Sequence, residues 1–214
     1  MNILVGNLPY LLQGALVTLL LSIAVVVLGT FLGVALGIAA TMRSRIARVL
    51  VAAYVFVLRG IPVLVVMFVG YYAFPAAGLR VSGYVAVGLA QIIYVAAFVA
   101  EIARSAILSV PEGQIAAARS LGMRRCAILR QVILPQATRI AIPPLLNSAL
   151  TAVKQTSYAS VVGVWELTYA AREIVERTLA AFQIFLGVMA IYFLICYPLS
   201  LAARWSERRF AFVH

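Results

Sequence analysis

Residues 10–40 read YLLQGALVTLLLSIAVVVLGTFLGVALGIAA, thirty-one residues without one charge. A helix of that length is about 46 Å long, against a hydrocarbon core of about 30 Å. The segment is therefore read as a helix that crosses a bilayer at a tilt, or one whose start is interfacial. Gly29, Gly33 and Gly37 recur within it at every fourth position. That spacing puts three missing side chains on one face, where a neighbouring helix can close in. The competing reading is that glycine is simply frequent in membrane helices.

Four more apolar runs follow, at about 50–74, 83–108, 138–163 and 179–203, each long enough to span. Together they predict an all-α integral membrane protein with five transmembrane helices in a single domain over residues 1–214. Composition agrees: 65% of residues are hydrophobic, 11% are charged and the mean hydropathy is +1.08. A soluble domain carries about 25% charged residues, so a water-facing surface could not be assembled here. Residues 1–10 have no basic start and no small-residue cleavage site, and no removable signal peptide is expected.

The formal charge of +11 would suggest nucleic acid in a soluble chain. Here the basic residues form short clusters between apolar runs rather than one stripe, so no nucleic-acid partner is expected. Twelve of the seventeen lie in 41–49, 104–139 and 204–214. The segments on the other side hold Arg80, Arg172 and Arg177, balanced by Glu166, Glu173 and Glu176. Positive charge keeps loops cytoplasmic, which predicts an outside N-terminus and a cytoplasmic C-terminus. Little material for catalysis exists. The one histidine is His214, and the one lysine, Lys154, follows Ala152-Val153 rather than the glycine of a phosphate loop. No metal site, cofactor or enzymatic activity is expected, and Cys126 and Cys196, on different sides of the topology, are not expected to pair.

The one sizeable stretch outside the runs is 109–137. Ser109-Val110-Pro111-Glu112-Gly113-Gln114 punctuates the chain and starts a short helix, which Gly122 closes in a left-handed conformation. A second basic helix, 124–132, is expected to end at Pro135. Small exposed alanines at 116–118 suit a partner's groove, while the arginines would equally suit anionic lipid headgroups. From composition the two readings are level.

Ala116-Ala117-Ala118-Arg119-Ser120-Leu121-Gly122, nine further residues, then Val132-Ile133-Leu134-Pro135, resembles the EAA loop of binding-protein-dependent ABC importer permeases. The flanking Val110-Pro111-Glu112-Gly113-Gln114 and Gln136-Ala137 are similar to the polar amino acid branch, the histidine- and glutamine-type membrane subunits. Thr18-Leu19, Arg59-Gly60-Ile61-Pro62, Ala100-Glu101-Ile102, Lys154-Gln155-Thr156-Ser157 and Glu166-Leu167 resemble that branch's motifs in the same order. Two departures stand out: Ala116 replaces the family's opening glutamate, and Gln155 its usual aspartate.

The resemblance implies a type I ABC importer transmembrane fold in the bacterial inner membrane. It implies a second permease subunit, identical or homologous, across a shared path for an amino acid. A cytoplasmic dimer of ATP-binding subunits would carry the ATP and magnesium, and an extracytoplasmic solute-binding protein would deliver the ligand. Coupling to the ATPase would run through Gly113, Gln114, Ala116, Ala117, Ala118, Leu121, Gly122 and Pro135.

Ionisable residues at membrane depth are costly and usually functional. Asn147, Thr151, Lys154 and Tyr158 fall on one helical face, with Ser148 and Gln155 at its edge. Pro143 and Pro144 could open the helix one turn earlier. The stripe, with Gln155, Thr156 and Ser157, is read as substrate path, against a stripe that only hydrogen-bonds between helices. Arg59, beside Gly60, either pairs with Glu101 or lines the path. Glu101 and Arg104, three apart, suit an intrahelical pair. Glu166 could meet a ligand or the binding protein, or be an ordinary interfacial acid beside the interfacial anchor Trp165.

Overall fold

The computed structural model describes residues 2–210; Met1 and 211–214, with His214, lie outside them. Helix α1 (Asn2–Ala39) and helix α4 (Gly83–Leu108) form its central pair. The glycine stripe is their seam. A Cβ on Gly33 would lie 2.5 Å from Val99 Cβ and 2.8 Å from the Ala96 carbonyl oxygen, and Gly29 and Gly37 meet Val95 and Ala103 in the same way. No larger residue fits without moving a backbone, so close packing explains the stripe and mere glycine frequency does not. Helices α2 (Arg45–Gly60), α3 (Val63–Ala76) and α7 (Leu134–Gln155) pack around the remaining faces of α4.

The run at 50–74 is not one straight span. Helix α2 (Arg45–Gly60) and helix α3 (Val63–Ala76) meet at 106°. Ile61 is extended there, at φ −108° and ψ 134°. A residue before proline is pushed out of the helical region, and Pro62 itself has no N–H to continue the ladder. At the other end of α2 the Ala47 amide donates to Ser44 Oγ at 3.3 Å, an N-cap. Val51 and Val55 then pack on Ala97 and Ala100 of α4.

The segment at 109–137 holds helix α5 (Glu112–Ser120) and the short α6 (Arg125–Ile128). Gly122 has φ +72°, its amide donates to the Arg119 carbonyl at 2.9 Å, and the Met123 amide reaches the Ala118 carbonyl at 3.2 Å. These bonds satisfy the last carbonyls of α5 and turn the chain away. The second helix does not stop at Pro135. It passes through a π-helical stretch, Leu129–Ile133, straight into α7 (Leu134–Gln155), with Pro135 in the first turn, where proline is tolerated.

Helix α7 also continues through Pro143 and Pro144, so no opening precedes Lys154 at that point. The irregularity comes later. After Gln155 the chain tightens into 3-10 turns over Thr156–Val162, ending at Gly163 with φ +82°. The stretch at 164–178, expected to be a loop, holds helix α8 (Leu167–Thr178), and α9 (Ala181–Phe210) follows. Leu167, Ala171 and Ile174 of α8 pack against Leu11 of α1 and Ile184 and Val188 of α9. Helix α8 is therefore part of the bundle.

Candidate functional site

Helices α2, α4 and α7 enclose an open cleft of about 350 Å³. Arg59 enters it from the end of α2 and Glu101 from α4, and Asn147, Ser148, Thr151 and Gln155 enter from α7. The Arg59 guanidinium stands 5.6 Å from the Phe98 ring centroid, a cation–π contact. Glu101 instead pairs with Arg104 at 3.2 Å, the one ion pair among the described residues. Arg59 lines the cleft and makes no ion pair with Glu101. Gly60 borders the adjoining cleft of about 690 Å³, which Arg59 and Glu101 share.

Asn147, Thr151 and Lys154 on α7 and Tyr158 in the 3-10 turns after it are all exposed. Neighbouring side chains on a helix diverge by about 100°, and Lys154 and Gln155 accordingly open onto different clefts. Lys154 borders one of about 610 Å³ between α7 and α9, with Tyr192, Tyr197 and Arg204. Asn147 is held across to α9, its Nδ2 donating to Glu207 Oε1 at 3.1 Å. Thr156 and Ser157 do different work. Their hydroxyls donate to the Val153 and Lys154 carbonyls at 2.7 and 2.8 Å, finishing α7. Thr156 is fully buried, off the exposed face.

Glu166 is fully buried, its carboxylate closed off by the chain's own side chains. Its Oε1 accepts the Tyr169 amide at 3.0 Å and so caps α8, and its Oε2 accepts Thr18 Oγ1 at 3.0 Å and the Tyr192 hydroxyl at 3.2 Å. The Leu167 amide donates in turn to Thr18 Oγ1 at 3.1 Å. Gly14, one turn before Thr18, makes this approach possible, since a Cβ there would lie 2.9 Å from Leu167 Cα. One cluster thus ties α1, α8 and α9 together, and it relates the Thr18 and Glu166 motifs that lie far apart in sequence. Trp165 is tied inward as well, its indole N–H donating to Glu173 Oε2 at 3.0 Å. Gln91, not foreseen from the sequence, is buried on α4 and donates to the Ala152 carbonyl at 2.8 Å, holding α4 to α7.

On α5, Gly113, Gln114, Ala116 and Ala117 are exposed, whereas Ala118 is buried against the bundle. Leu121 is 81% exposed, an apolar side chain with nothing of this chain to cover it. Gln114 accepts from Gln136 Nε2, which joins α5 to the first turn of α7 beside Pro135. The result is a small-residue outer face on a short helix braced from behind.

Residues 26–212 match the family of inner membrane components of binding-protein-dependent transport systems. The chain belongs to this family. A probable glutamine ABC transporter permease, GlnM of Bacillus subtilis, is 38% identical over 208 residues, 97% of this chain and 96% of that one. The glutamine transport system permease GlnP of Escherichia coli K12 is 37% identical over 204 residues, 94% and 93% of the two chains. The crystal structure of an amino acid ABC transporter with histidines superposes with a TM-score of 0.89 at 32% identity, over 96% of each chain. An inward-facing MetNI methionine ABC transporter gives 0.76 at 20% identity, over 96% of this chain and 98% of that one, and shows the fold alone. The fold is thus that of type I importer membrane subunits. The chain is a multi-pass permease subunit of the inner membrane, and ATP is hydrolysed by a separate subunit.

Proposed function

We propose that this permease carries an amino acid, its path walled by the exposed face of α7 and the cleft beside it. The observation that carries this reading is the line of Asn147, Thr151, Lys154 and Tyr158, exposed on an apolar bundle, with Asn147 and Thr151 bordering the cleft that holds Arg59 and Lys154 bordering the cleft beside α9. Lipid is a poor solvent for such a line, which supports a second permease opposite it and a wet path between the two. Lys154 receives the ligand's α-carboxylate. The chain needs no cofactor of its own. Residues 41–49 and 109–137 face the cytoplasm, where the outer face of α5 enters a cleft on the ATPase. Residues 74–82 and 164–178 face outward, toward a solute-binding protein.

Lys154→Met removes the charge and keeps the apolar stem. Losing a partner for a desolvated charge costs about 2–5 kcal/mol, roughly 30-fold to several thousand-fold. ATP-driven amino acid uptake in vesicles should be lost or strongly reduced at matched complex abundance, with basal ATPase activity kept. Near-parental uptake would rule out an essential carboxylate contact. Orientation is checked separately with single cysteines and an impermeant maleimide. Labelling at Ser120 but not at Ala76 in sealed cells would reverse the topology.

A further inference from the structure

Two clefts open beside α5, on the side turned toward the bundle. The inner one, about 490 Å³, is lined by Arg43, Arg119 and Arg125 with Gly122, Met123 and Ile128, and holds no acidic residue. The three arginines come from three separate places: the turn after α1, the last turn of α5 and the start of α6. None pairs with a carboxylate among the described residues. The second cleft, about 560 Å³, shares all three arginines and continues along an apolar wall that includes Ile38, Ile107, Leu108 and Ile133. Its one acidic residue, Glu112, is in no ion pair among the described residues. Ile38 and Leu108 stand at the ends of α1 and α4, two helices long and apolar enough to cross a membrane.

Three unpaired guanidinium groups at the mouth of an apolar groove suit an anionic amphiphile. A free anion would use only the mouth, and a neutral lipid only the groove. Arg119 lies about 120° around α5 from the exposed Gly113, by the 100° advance per residue. Gly113, Gln114 and Ala117, each about 120–160° from Arg119 by the same advance, stay free for a protein partner while the arginines line the cleft. We propose that this cleft holds one anionic phospholipid, its phosphate between Arg43, Arg119 and Arg125 and one acyl chain along Ile107, Leu108 and Ile133. The inner leaflet follows from the orientation proposed above; the binding itself does not depend on it. The lipid braces α5 from behind, so the docking helix is set partly by the composition of the membrane.

The test uses the purified transporter complex in detergent, where orientation plays no part. Phosphatidylglycerol and phosphatidylcholine are titrated together, and bound lipid is counted by native mass spectrometry. The parent should prefer phosphatidylglycerol, and each arginine changed to glutamine should lower that preference about fivefold. Inorganic phosphate at the same concentration should leave the lipid in place; displacement would make this a phosphate site and overturn the proposal. Equal preference in the parent and in Arg43→Gln/Arg119→Gln/Arg125→Gln would also overturn it. So would a triple variant that keeps its lipid preference but sheds the ATPase, because the arginines would then belong to that contact. Should the triple variant fail to assemble, Arg43→Gln alone, outside α5 and α6, carries the same fivefold criterion.

Discussion

Lys154 and Glu166 are twelve residues apart and have exchanged the places that hydropathy suggests for them. Lys154 lies inside an apolar run and is exposed; Glu166 lies beyond every run and is fully buried. Hydropathy averages over all faces of a helix, whereas burial is decided face by face, by what packs against each. At the end of α7 one face was left without a partner, and the polar residues stand there. At the start of α8 the Glu166 carboxylate is covered on all sides and held by three donors. Exposed polarity in this bundle belongs to a partner or a ligand, and buried polarity belongs to the fold.

The strongest way to break that distinction is Glu166→Leu. It removes the cap of α8 and orphans the hydroxyls of Thr18 and Tyr192 and the Tyr169 amide, which all donate to the carboxylate. A lost cap costs about 1 kcal/mol and each stranded buried donor about 1–3 kcal/mol. A total loss of about 3–7 kcal/mol is expected, read as a lower melting temperature and lower abundance of the complex. Lys154→Met should move neither. An unchanged melting temperature in Glu166→Leu, with uptake abolished, would make Glu166 a path residue and end the contrast.

Much of the bundle could be read from residue patterns. The glycine seam of α1 follows from fourfold spacing, and the end of α5 follows from Gly122. Reading failed where the outcome depended on a remote partner. Glu166 three positions before Tyr169 has the spacing of a helix cap, yet nothing local shows that Thr18, 148 residues earlier, supplies the second donor. Apolar runs also hid the bend at Pro62, because both arms of a bent pair are apolar and a sliding average sees no angle. Prolines misled in both directions: Pro62 breaks its helix, while Pro135, Pro143 and Pro144 lie within α7. The difference lies in the surroundings. Ile61 takes an extended conformation before Pro62, whereas the chain ahead of Pro135 enters α7 through wider π-helical turns.

The comparison extends to α5, where Leu121, Ala116 and Ala117 are exposed as Lys154 is. Gly122→Val puts a β-branched residue at φ +72°, a strain of about 1–2 kcal/mol confined to the end of α5. No neighbour lies within 4 Å of a Cβ there, so nothing else is disturbed. ATPase association or stimulation should fall while the melting temperature of the permease changes little. Parental coupling in this variant would show that the exposed face of α5 is not what meets the ATPase.

The smallest change falls on the residue that touches both regions. The Tyr192 ring borders the cleft of Lys154 between α7 and α9, while its hydroxyl donates to Glu166 Oε2. Tyr192→Phe keeps the ring, and with it the wall of the cleft, and removes only the hydroxyl. Glu166 retains the Thr18 hydroxyl and the Tyr169 amide, so its carboxylate is still held. Thr168 Oγ1, 3.3 Å from the Tyr192 oxygen, loses a neighbour but is only half-buried and can turn elsewhere. One hydrogen bond of this kind contributes about 0.5–1.5 kcal/mol net. A slightly lower melting temperature is expected, with uptake near parental, because the ring beside Lys154 is unchanged. The contrary outcome, uptake falling as far as in Lys154→Met with stability intact, would mean that the hydroxyl serves the path. The buried cluster and the exposed line would then be one site reached from two sides, and the contrast between Lys154 and Glu166 would fail at the residue they share.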